Sequence, residues 1–129
     1  MHYLGLFLLL VSFTYASHIS WQKDYETARK KAVIEDKNIL VFLIKKNSPK
    51  INKMIQENFM DQEYIEEVEN NFVSVIVKSN SKKSYPIELL YTTTYPSLFF
   101  LNSEELFLCD KLEGHITPKK LKEKLIECH

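Results

Sequence analysis

At 129 residues, 45% apolar and 12% aromatic, the chain has the size of one domain and enough apolar material for a real core. Its 17 basic and 17 acidic side chains are mixed along the sequence and cancel to a formal net charge of zero. That excludes the clustered basic footprint of a nucleic-acid-binding domain, and no DNA or RNA partner is expected.

Residues 1–16 differ in composition from the rest. Tyr3 to Val11 is a short apolar core, and Thr14 and Ala16 are small enough for a signal-peptidase site, so the segment reads as a signal peptide cleaved after Ala16. No Lys or Arg precedes the apolar core, and an uncleaved membrane anchor is the alternative. The expected location is exported, periplasmic or extracellular, with membrane contact only if the segment is retained. Residues 17–129 form the one expected domain.

In the mature chain, Trp21, Tyr25, Ala28 and Ala32 recur at helical steps, which predicts a first helix over Trp21 to Lys37, capped by Ser20 and broken at Asn38. Ile39 to Ile44 is apolar without alternation, as in a central strand covered on both faces. Ser48-Pro49 then has the chemistry of a helix start. The serine oxygen can accept from an orphan N–H, and proline has no N–H to leave unpaired. Ile51, Met54, Ile55 and Phe59 mark the apolar face of that second helix.

Asp61 caps a predicted third helix with Tyr64, Ile65 and Val68 inward and Glu63, Glu66 and Glu67 near its positive end. Phe72 to Val77 is a β-branched strand, Lys78 to Ser84 a polar loop with Lys82 and Lys83 at its tip, and Pro86 to Tyr91 a short helix. Leu98 to Leu101 is the next strand, Asn102 to Glu104 a turn, and Glu105 to Cys109 a strand returning antiparallel. Gly114, the only glycine after residue 16, closes it where a positive φ is needed. Thr117-Pro118 repeats the cap-then-proline signature and opens a last helix carrying Leu121, Leu125 and Cys128.

Helix, strand, helix, strand, helix, strand, strand, helix, with Pro96 immediately before the third strand, resembles the thioredoxin-like fold. Within it the chain is similar to exported thioredoxin-related proteins. The resemblance rests on Trp21 to Ala32, Ile39 to Ile44, Ser48 to Met54 with Phe59-Met60-Asp61, Asn71-Phe72-Val73, Tyr95 to Leu101 and Gly114. It implies an α/β fold of three layers, a central mixed β-sheet flanked by helices. It also implies a cis Pro96 facing the strand-to-helix corner, with Tyr95 offering an extended peptide a short pairing edge.

The corner departs from the family pattern. Where relatives carry Cys-x-x-Cys, this chain has Ser48 and Ile51, so neither the thiolate nucleophile nor the resolving thiol is present there. A serine hydroxyl needs an adjacent base, and its sequence neighbours are Lys45, Lys46, Lys50 and Lys53. What remains is a helix N-terminus rimmed with lysines, able to hold an anionic group or an extended peptide, or simply a capped, solvated corner. Tyr85, Tyr91 and Tyr95 read as core residues with hydroxyls at the edge, with a binding surface as the alternative.

Cys109 and Cys128 are separated by eighteen residues, which fits no zinc or CxxC pattern. In the implied fold they lie about 16 Å along the last strand and about 15 Å along the last helix, so they can be level. A structural disulfide, two free thiols and a redox pair all stay open. The candidate binding residues are therefore Ser48, Pro49, Lys50, Ile51, Tyr95 and Pro96, with no catalytic residue, metal or cofactor and a protein or extended peptide as partner. The enzyme-class alternative is a residual role in a thiol-disulfide oxidoreductase system through Cys109 and Cys128, and a purely structural domain is the third.

Overall fold

A computed structural model describes residues 18–59, 62–80 and 85–128. The signal-peptide assignment for 1–16, the Asp61 cap, the Glu63 side chain and the Lys82 and Lys83 loop tip lie outside the described residues. The elements are α1 (Tyr25–Glu35), β1 (Asn38–Ile44), α2 (Pro49–Phe59), α3 (Gln62–Asn71), β2 (Phe72–Lys78), β3 (Ser97–Leu101), β4 (Leu112–Glu113) and α4 (Pro118–Glu127).

The sheet order is β2-β1-β3-β4, with β1 parallel to β2, and β3 antiparallel to both β1 and β4. β1 is central, and Ile39 to Ile44 are at most 1% exposed. Because successive side chains point to opposite faces, Ile39, Val41 and Leu43 pack with Tyr25, Ala28 and Ala32 of α1. Leu40, Phe42 and Ile44 pack with the apolar faces of α2, α3 and α4 on the other side. The result is the expected three-layer α/β fold with a mixed central sheet.

Three predicted elements are corrected. The first helix starts at Tyr25, because Asp24 is its N-cap and accepts from the Thr27 N–H at 2.8 Å. Ser20 is engaged elsewhere, its N–H donating to the Glu69 carboxylate at 2.8 Å. Trp21 still reaches the core, its ring edge-on to Phe59 at 5.3 Å, but from an extended segment in which Gln22 N–H donates to Ser74 C=O at 2.8 Å. The helix ends at Asp36, not Asn38. Asp36 adopts φ 53°, a left-handed conformation aspartate tolerates better than most residues, and Asn38 is already in β1.

Pro86 to Tyr91 makes one turn, not a helix, closed by Leu90 N–H donating to Pro86 C=O at 2.9 Å. Glu105 to Cys109 is not a strand either. Asn102 Oδ1 accepts from the N–H groups of Glu104 and Leu106, at 2.9 and 3.0 Å, and Glu105 is held at φ 65°. Only Phe107 bridges back to Leu101 before regular pairing resumes at Leu98↔Leu112. Three residue steps along β3 are thus matched by five along the returning chain, and the surplus bulges out at Cys109 to Lys111.

Asn58 is a polar residue on the buried face of α2. Fully buried, it donates from Nδ2 to Met54 C=O and to Ile116 C=O, both at 2.9 Å, tying the helix to the loop before α4. Asn58→Ala removes the donor that satisfies the Ile116 carbonyl, and is expected to lower stability by about 1–3 kcal/mol in chemical denaturation. An unchanged denaturation midpoint would show that the Ile116 link contributes nothing.

Candidate functional site

The corner between β1 and α2 is built by local capping. Ser48 Oγ accepts from Ile51 N–H at 3.1 Å, and Ser48 C=O accepts from Asn52 N–H at 2.9 Å. Pro49 occupies the first helical position, so the sequence signature and the geometry coincide. Pro49, Lys50, Lys45 and Lys46 are exposed, and Ser48 is half-buried. Ile51 is 8% exposed and belongs to the core cluster with Met54 and Phe59, so its side chain supports the corner from beneath and does not line its surface.

Ser97 opens β3 opposite Leu43, so the register carried one residue further sets Pro96 level with Ile44, the last residue of β1 and four residues before Ser48. The Tyr95–Pro96 peptide bond is cis. Pro96 is buried and its carbonyl accepts from Gly114 N–H at 2.8 Å, whereas Tyr95 is 36% exposed. Gly114 has φ 75°, and a Cβ there would meet Thr94 Cγ2 only at 3.7 Å, so backbone conformation and not crowding calls for glycine.

The segment before the proline is pinned by side chains the sequence reading passed over. Ser97 Oγ donates to Thr94 C=O at 2.7 Å, Thr94 N–H donates to Thr92 Oγ1 at 3.2 Å, and the Thr92 and Ser97 hydroxyls are 2.9 Å apart. The signal was available as small hydroxyl residues flanking a proline at turn spacing. Of the tyrosines expected in the core, Tyr91 is exposed and Tyr95 partly so. Tyr85 is half-buried, and burial, with a smaller contribution from Tyr95, pushes its phenol pKa up.

His115 lies beside α2. It lines a cavity of about 290 Å³ with Lys50, Lys53, Met54 and Glu57, on the flank of the helix. The corner therefore offers a capped helix start and cationic side chains, with no base shown at the Ser48 hydroxyl.

Cys109 and Cys128 form a disulfide, with Cα atoms 5.6 Å apart. They are the only cysteines of the chain, so no free thiol remains. Cys109 sits half-buried in the bulge and lines a cavity of about 440 Å³ with Phe99, Phe107 and Lys111. Cys128 is fully buried and caps the C-terminal end of α4, its N–H donating to Lys124 C=O at 2.8 Å. Expelling a Cys128 thiolate would put negative charge in an apolar site at the negative end of a helix, which opposes exchange. Among the described residues no group of three or more His, Cys, Asp or Glu could hold a metal ion, and no helix is long and apolar enough to cross a membrane.

Among solved structures, the chain is similar to one titled "DsbH Oxidoreductase". The TM-score is 0.67 over 92% of each chain, at 16% sequence identity. No protein-family model matches the chain, and no curated protein does. Sheet order, flanking helices and this likeness together show a thioredoxin-like fold.

Proposed function

We propose that this is an exported thioredoxin-fold protein that holds an extended segment of a partner protein at the corner formed by Ser48, Pro49, Lys50, Tyr95 and Pro96, without exchange chemistry there. One observation carries the reading. Among the described residues no backbone hydrogen bond joins Tyr95 to the rest of the fold, although Tyr95 stands exposed just before the strand β3 begins. A backbone N–H and C=O left unpaired at such a place suit an added strand. Ile51 shapes the floor, and the lysines favour a segment carrying acidic groups or a carboxylate.

Selection of peptides from a random displayed library, followed by titration of the best binder, tests this. Tyr95→Ala keeps the backbone but removes the exposed ring, and is expected to weaken binding about tenfold with an unchanged circular dichroism spectrum. Unchanged binding would favour a purely structural domain.

A second reading keeps a residual redox role, because Cys109 is half-buried beside a cavity and accessible from it. The similar solved structure carries the word oxidoreductase in its title. Insulin reduction by the isolated protein separates the two readings, since turnover abolished by Cys128→Ser would replace the binding role with a redox one.

A further inference from the structure

The cavity of about 290 Å³ on the flank of α2 is lined by Lys50, Lys53, Met54 and Glu57 from the helix and by His115 from the loop before α4. Its charge is unbalanced. Glu57 is taken by Lys53, at 3.9 Å, whereas Lys50 forms no ion pair among the described residues. Lys120 of α4 brings a further ammonium to the same wall, its Nζ donating to His115 C=O at 3.4 Å. Glu113, the carboxylate two residues before His115, approaches Lys111 instead, at 3.8 Å. Three lysines thus stand against one carboxylate.

The wall is held in place by the fold itself, because both chain neighbours of His115 are anchored. Gly114 N–H donates to Pro96 C=O at 2.8 Å, and Ile116 C=O accepts from Asn58 Nδ2 at 2.9 Å. The first of these bonds also joins the cavity to the corner. Lys50 follows Ser48 by two residues in the first turn of α2, so the helix start and the proline segment each continue into this wall. The volume lies just below the range of about 300–1,000 Å³ typical of pockets that enclose a whole small molecule, which suits one side chain of a larger ligand.

We propose that the cavity receives the carboxylate of a glutamate or aspartate in the partner segment, with Lys50 and the His115 ring donating to it. A carboxylate offers two acceptor oxygens, and hydrogen bonds from an ammonium to a carboxylate are among the strong ones. This rests on the reading that an extended segment docks at the corner, and it adds which side chain that segment carries and where the side chain goes.

Capped pentapeptides of sequence Ala-Ala-Glu-Ala-Ala and Ala-Ala-Gln-Ala-Ala, titrated into the protein at low ionic strength and followed by NMR, test the cavity apart from the corner. The glutamate peptide is expected to shift the His115 and Met54 resonances saturably, and the glutamine peptide to leave them in place. Lys50→Glu is expected to weaken glutamate-peptide binding about tenfold, because it exchanges an attraction for a repulsion. A glutamate in the first turn of a helix is favoured by the dipole, so that loss does not come from a damaged α2. Lys30→Glu, exposed on α1 in the opposite layer, makes the same change in net charge and should leave binding unchanged. Equal shifts with the glutamine peptide, full affinity in Lys50→Glu or an equal loss in Lys30→Glu would overturn the proposal. Glutamate-peptide binding at the cavity with no binder from the displayed library would sink the corner reading and leave the carboxylate site standing. Library binders that keep full affinity in Lys50→Glu would sink the carboxylate site and leave the corner.

Discussion

Replacing both cysteines, Cys109→Ala with Cys128→Ala, is expected to lower the unfolding free energy by about 3 kcal/mol, the chain-entropy value for a loop with a sequence separation of 19. The thermal midpoint should fall on the order of 10 °C in a domain of this size. The bond joins the bulge before β4 to the end of a helix that otherwise packs on the core through Leu121 and Leu125. β4 is two residues long and pairs only with Ser97 and Leu98, and Cys128 is the buried C-cap that follows α4. Loss of the crosslink therefore loosens the bulge and the last turn of the C-terminal helix together. Reducing the wild-type protein with dithiothreitol should reproduce the shift, and urea denaturation measures both. A midpoint unmoved by either treatment would show that the bond is not structural, and would favour the redox reading of the same pair.

The layers of the fold were legible because they rest on local patterns. A short unbroken apolar run rich in β-branched residues suits a strand buried on both faces, and Ile39 to Ile44 divides its side chains between the two core clusters. Both serine/threonine-proline signatures became helix starts, because capping is settled within four residues. Trp21 shows where such patterns fail. Its spacing to Tyr25 fits a helix face, yet an extended residue packing on the same surface has the same spacing, and only the Asp24 cap separates the two cases. The strand expected over Glu105 to Cys109 failed because the two-residue surplus there is decided by contacts with Leu101 and Cys128, far away in sequence.

The site was legible in the same measure. Ser48, Pro49 and Ile51 are fixed by one turn of chain, and so is the absence of thiols. Asn58 could have been found, since it interrupts the apolar face of Ile51, Met54 and Phe59 with an amide whose buried donor calls for a partner inside. Cysteine pairing could not, because it depends on a Cα separation that no spacing rule supplies.

Ser48→Cys with Ile51→Cys is expected to turn a corner without thiols into one that catalyses insulin reduction. A sulfur at position 48 takes the place of an oxygen that already accepts from Ile51 N–H at 3.1 Å, so a thiolate there would gain the helix-start N–H groups and the positive end of the dipole. In that setting a cysteine pKa falls from about 8.5 toward 7. Positions 48 and 51 lie across the first turn of α2, where Cβ atoms are about 5–6 Å apart, near enough to close a bridge with slight adjustment. A cysteine at the buried position 51 is sheltered, as a resolving thiol should be. Trimming Ile51 should cost on the order of 2 kcal/mol, a loss the intact Cys109–Cys128 bond helps the fold tolerate. Ser48→Cys alone lacks the resolving thiol, so it is expected to stall as a mixed disulfide with a disulfide-bearing polypeptide bound along Tyr95. A double variant that forms the new disulfide but neither turns over insulin nor, as the single variant, traps any polypeptide would show that nothing extended docks at this corner. The proposed binding role would fall with it.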